Sequence, residues 1–174
     1  LFVLDPESTY GGYLKDFVPA SAGKVSEKNF LAIDPSLSVE QCAEDYEKKL
    51  IHKLSNDKNF PKVDLLLLGL GPDGHTCSLF PGHSLLNEKT KNIAPINDSP
   101  KPPPERVTFT YPAIALAGNV AFFTTGEGKA GVIKEILEGN SQLPAALVGT
   151  VAKEVTWFLD RAAAAQLTSR KNEL

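Results

Sequence analysis

From Ser38 to Leu54 apolar residues recur at helical spacing, with Val39, Cys42, Ala43, Tyr46, Leu50 and Leu54 on one face. Ser38 and Gln41 form a capping-box pair at the start, so a helix is expected over 38–54. The next signal differs. Val63–Leu68 is apolar apart from Asp64 and too short for a buried helix, and it predicts a strand covered on both faces. Val107–Thr110 alternates like a strand, and Asn119–Thr125 reads as a second buried strand. Glu127–Glu138 then carries Ala130, Ile133, Ile136 and Leu137 at helical spacing, with Gly139 as its stop. Val155–Leu159 predicts a last strand, and Asp160–Leu167 a terminal helix capped by Asp160. Between these lie the polar loop Asn56–Asn59 and the proline-rich connection Asn97–Pro104. Strands alternating with helices predict an α/β fold whose largely parallel sheet is flanked by helices, a Rossmann-like architecture. Residues 1–174 show no repeat, low-complexity segment or linker, and are read as a single domain.

Composition narrows the function more than the fold. Apolar residues make up 42% of the 174 and charged residues 22%, which fits a packed chain and excludes a disordered one. A net charge of −3 gives no bulk attraction to nucleic acid or to an anionic membrane, so an anionic ligand needs a local basic site. The sequence offers no run able to span a bilayer. Cys42 and Cys77 are too few for a disulfide framework and are read as core residues in a reducing, cytoplasmic setting. The absence of methionine leads us to expect a fragment or a processed chain. The terminal Lys171-Asn172-Glu173-Leu174 is read as an exposed tail rather than a retention signal.

Chemistry concentrates at the carboxyl end of the first strand, where open α/β sheets bind ligands. Residues 69–83 read Gly-Leu-Gly-Pro-Asp-Gly-His-Thr-Cys-Ser-Leu-Phe-Pro-Gly-His. Gly69, Gly71 and Gly74 satisfy a dinucleotide fingerprint, but Pro81 interrupts the helix that such a fingerprint must open. The glycines serve a tight turn, the close approach of backbone amides to a sugar or oxyanion, or both. His75 is a candidate general base, the alternative being a buried imidazole satisfied by a carbonyl. Asp73 either orients His75 or a substrate hydroxyl, or only shapes the turn. The spacing of His75 and His83 across a proline is not that of a metal site. Cys77 and Ser78 lack the surroundings of an activated nucleophile. Downstream, Gly126-Glu127-Gly128-Lys129 sits between a strand and a helix, where amides and an ammonium attract phosphate. Arg106, entering its strand from the proline-rich loop, has the planar fork for a second phosphate contact. For both cations the plain alternative is a structural or solvated side chain.

Gly-x-Gly-x-Asp-Gly-His-x-x-Ser-Leu-Phe-Pro resembles the signature of the 6-phosphogluconolactonase family. Four further stretches are similar to the family, in order: Glu7–Gly11, Ser99–Thr108, Thr125–Ala130, and the pair Leu143–Ala146 with Trp157–Asp160. The likeness covers about Asp5 to Asp160. It implies hydrolysis of 6-phospho-D-glucono-1,5-lactone to 6-phospho-D-gluconate in the oxidative pentose phosphate pathway. It also implies a phosphorylated sugar lactone as the only partner, no cofactor or metal, and a monomer when complete. By the same resemblance His75 is the base with Asp73 beside it, Gly69, Gly71 and Gly74 contact substrate, and Lys129 and Arg106 hold its phosphate. A glucosamine-6-phosphate deaminase or isomerase is the nearest rival, but Ser78-Leu79-Phe80-Pro81 stands where those enzymes carry an acid. A non-catalytic phosphosugar-binding module is the second alternative. The family also has an N-terminal part, with a glycine-rich phosphate loop and an Asp-Glu-Arg motif, that does not occur here. A sheet lacking that part is expected to expose an edge or an apolar face.

Overall fold

The computed structural model describes residues 11–55 and 59–168, in two compact units. The segment matched by Glu7–Tyr10, loop residues 56–58 and the terminal Lys-Asn-Glu-Leu lie outside the described residues.

The first unit comprises residues up to Pro61 together with Lys91–Phe109. Its main element is helix α1, Val39–Leu54. The Ser38 hydroxyl accepts from the Gln41 amide and the Gln41 side chain reaches back to Ser38, so both halves of the capping box form. The apolar stripe read from the sequence is the buried one: Val39, Cys42, Ala43, Tyr46 and Leu50 pack with Ile93 and Val107. The last two belong to the two strands of an antiparallel pair, Ile93–Ile96 and Arg106–Phe109, in register Ile93↔Phe109 and Ile96↔Arg106. The first of these strands was not legible, because four residues that include Pro95 carry no alternation.

Arg106 is buried, and its guanidinium closes the proline-rich bend. Nε donates to the Pro103 carbonyl at 3.0 Å, and Nη2 to those of Lys101 and Pro102 at 2.8 and 2.9 Å. These bonds give two of the guanidinium nitrogens, Nε and Nη2, a role in the bend beside the expected phosphate contact. Arg106→Ala should therefore cost stability, about 1.5–3 kcal/mol in a urea unfolding experiment, the range for hydrogen bonds to a charged group. Unchanged stability with weakened phosphosugar binding would return Arg106 to the phosphate.

The second unit comprises Lys62–Thr90 and Thr110–Leu174. Three parallel strands form its sheet: Leu65–Leu68, Asn119–Thr124 and Val155–Leu159, the middle one in sequence also lying in the middle of the sheet. Helices Tyr111–Leu116, Ala130–Glu138 and Pro144–Val151 accompany it. Phe122 and Trp157, register partners, stack at 4.0 Å and 6° on the covered side. The other side departs from expectation. Leu65 and Leu67 are 49% and 63% exposed, Phe123 and Phe158 54% and 45%. The first strand thus alternates exposed and buried instead of being covered twice. An apolar run reports what residues prefer, not what is present to cover them.

Residues 160–167 also differ from expectation. Asp160 does cap, accepting from the Ala163 amide at 2.7 Å, but regular helix does not follow. After one helical bond, from the Ala164 amide to the Asp160 carbonyl, the next bonds shorten to three-residue spacing.

Candidate functional site

The strand Leu65–Leu68 ends in a turn that closes on itself. The Gly71 amide donates to the His75 carbonyl at 2.8 Å and the Gly74 amide to the Gly71 carbonyl at 3.0 Å. The Thr76 hydroxyl donates to the Gly69 carbonyl at 2.9 Å. No helix opens here, so the dinucleotide geometry is not built. The same bonds decide what the glycines offer. Gly71 and Gly74 spend their amides inside the turn, and Gly74 adopts φ +81° with Leu143 packed where a Cβ would stand. Gly69 is exposed, with open space where a side chain would be.

Within the turn, Nδ1 of His75 lies 2.6 Å from Oδ1 of Asp73. A carboxylate only accepts, so Nδ1 carries the hydrogen, and in the neutral ring the lone pair is on Nε2. That is the tautomer a general base needs. Lys129 joins this turn from 59 residues away: its ammonium donates to the Leu70 carbonyl. Lys129 closes the short turn Glu127–Lys129 that precedes helix Ala130–Glu138. Gly126, at φ +92°, begins that turn, and its amide donates to both carboxylate oxygens of Asp160 at 3.1 Å. Asp160, read from the sequence only as a cap, also fixes the loop that presents Lys129. The signal for it was its place at a strand end, facing the neighbouring strand's turn.

The other candidates make contacts of their own. His83 accepts the Leu85 amide through Nδ1 at 3.1 Å and begins a short helical turn. Burial pushes the Cys77 thiol up to about 11, so it stays protonated near neutral pH and is a poor nucleophile. Among the described residues no group of three or more metal-ligating side chains assembles. Nor, among them, is any helix long and apolar enough to cross a membrane. Arg106 lies in the first unit, in the loop contacts given above.

The model of the glucosamine-6-phosphate isomerases/6-phosphogluconolactonase family matches residues 3–157. The chain belongs to this family. It is 53% identical over 164 residues to the human protein named 6-phosphogluconolactonase, a match covering 93% of this chain and 62% of that one. Its fold is that of a solved devB protein (TM-score 0.73, 27% identity, 86% of this chain and 63% of that one). It is also that of the Leishmania guyanensis 6-phosphogluconolactonase (TM-score 0.67, 27% identity, 83% and 64%). The chain thus spans a little over three fifths of the length of these relatives.

Proposed function

We propose that this family member hydrolyses 6-phospho-D-glucono-1,5-lactone to 6-phospho-D-gluconate, as a single lactonase-like domain working in the cytoplasm. The observation that carries the reading is the His75–Asp73 pair, in a strand-end turn that also receives the Lys129 ammonium. His75 Nε2 takes a proton from water as the water oxygen attacks the lactone carbonyl. Asp73 stabilises the imidazolium that forms. As the carbonyl re-forms, the bond to the ring oxygen breaks, and the imidazolium returns its proton to that oxygen. Lys129 holds the 6-phosphate and so fixes the ring relative to the base. Gly69, with open space above it, is the glycine placed to approach the sugar. The amides of Gly71 and Gly74 are excluded from that work by their bonds within the turn.

The lactonase reading is favoured over the deaminase one by Ser78-Leu79-Phe80-Pro81, which supplies no acid for the second proton transfer. A coupled assay of the intact protein on the lactone and on glucosamine 6-phosphate decides between them. Turnover of the amino sugar alone would overturn the reading, and phosphosugar binding without turnover of either would favour a binding module.

Lys129→Ala separates phosphate recognition from support of the turn. Binding of 6-phosphogluconate should weaken by about 1.5–3 kcal/mol, as for loss of a hydrogen bond to a charged group. Gluconolactone without the phosphate should be much less affected. Equal losses for both ligands, by calorimetry, would mean that Lys129 acts through the Leu70 carbonyl on the loop and not on the phosphate.

A further inference from the structure

Two further neighbours define where the His75 ring can sit, and neither carries a polar side chain. Its ring lies against Phe80, with centroids 4.6 Å apart and planes at 34°. Phe80 is fully buried, so this wall does not move with solvent. The chain brings it back through a tight reversal: Thr76 bridges Leu79, the Leu79 amide donates to the Thr76 carbonyl at 2.9 Å, and Cys77 takes φ +53°. On another side is Gly71. A Cβ built there would fall on Nδ1 and Cε1 of the His75 ring and come within 2.6 Å of Asp73 Oδ1. The room left by the missing side chain is therefore filled by the imidazole and its carboxylate, not by a ligand.

We propose that Gly71 and Phe80 are positioning residues for His75. Gly71 leaves the space in which Asp73 and Nδ1 meet, and Phe80 bars the ring from tilting out of that pairing. This assignment rests on His75 being the base. It explains why a glycine is required at 71 although its φ is not left-handed and its amide is spent in the turn. It also gives Phe80 a role distinct from filling a core: a flat, buried surface that the imidazole meets at a tilt of 34°. A misplaced base loses rate more than binding, because ground-state contacts to the phosphate and sugar do not depend on it.

Two readouts in the intact protein test this, one of them independent of activity. In ¹⁵N-labelled protein, long-range ¹H–¹⁵N spectra should show His75 as the Nδ1–H tautomer. Gly71→Ala should remove that signature and lower kcat by about 10²-fold with KM within about threefold, the scale of a base displaced by an ångström. Phe80→Leu, which keeps an apolar side chain and folds more readily, should give mixed tautomers and a smaller kcat loss with the same unchanged KM. The melting temperature lost in Gly71→Ala should be largely recovered in Gly71→Ala/His75→Ala, where the added methyl no longer meets a ring. A double variant as unstable as Gly71→Ala alone, or an unaltered tautomer in both single variants, would overturn the proposal. If the tautomers shift as expected while the protein has no lactonase activity, the positioning stands and the catalytic reading falls.

Discussion

His75→Ala in the intact protein is expected to lower lactonase kcat by about 10²–10⁴-fold, the contribution of a positioned general base. The substitution removes the proton acceptor for water and the proton donor for the leaving ring oxygen in one step, so no other group of the turn replaces it. Binding of 6-phosphogluconate should change little, because the phosphate is assigned to Lys129, which reaches the turn through the Leu70 carbonyl and not through the imidazole. The fold should also tolerate the change, since the turn's own bonds, from Gly71 to His75 and from Thr76 to Gly69, use backbone atoms and the threonine hydroxyl. Asp73→Asn should fall between the variant and wild type: the amide can present a hydrogen to Nδ1 and invite the wrong tautomer, but the base remains. The lactone opens spontaneously, so the rates must be taken fast enough to subtract that background. Turnover near wild type would remove His75 from the mechanism.

Much of this site was legible because its parts are close in sequence. Asp73 and His75 are two residues apart in a turn fixed by glycines, so their pairing was one of the readings open from the sequence, and the structure has it at 2.6 Å. Helix Val39–Leu54 was legible for a similar reason, its apolar period and its cap being local signals. What the sequence could not convey depends on how the chain returns. Phe80 reaches the imidazole only because Cys77 adopts a left-handed conformation that its side chain does not advertise. Lys129 arrives from 59 residues downstream, and only the family-like motif around it pointed there. Arg106 looked like a phosphate ligand because a guanidinium beside prolines has the right fork. The same fork suits backbone carbonyls of the proline-rich bend, and Nε and Nη2 donate to three of them. The strand Ile93–Ile96 and the helix Tyr111–Leu116 are too short to build a period of their own and take their form from packing.

The exposed side of the parallel sheet carries the second large expectation: residues 1–174 alone should self-associate and hydrolyse the lactone weakly or not at all. Leu65, Leu67, Phe123 and Phe158 lie on one side, since register partners Phe123 and Phe158 stack at 4.6 Å and 13° and the strands alternate. Parallel sheets are otherwise covered on both faces, because each crossover places a helix against one or the other. Here four large apolar groups face outward on one side, and the strand Leu65–Leu68 is an edge of the sheet. The human relative has a little over a third of its length outside the part this chain matches, which is length enough to cover such a face. Each of the four side chains would contribute up to about 1.5–3 kcal/mol on full burial, and about half of that from their present exposure. A face of that kind drives association when nothing covers it. The 174-residue chain should bind an apolar dye and elute as a mixture of assemblies, and Leu67→Lys with Phe158→Lys should shift it toward monomer. In a longer chain whose added residues cover this face, the same pair of substitutions should instead lower stability. The opposite pattern is informative. A monodisperse 174-residue chain with cooperative thermal unfolding and full lactonase activity would mean that the outward leucines and phenylalanines are tolerated surface, and that His75, Asp73 and Lys129 suffice for the reaction.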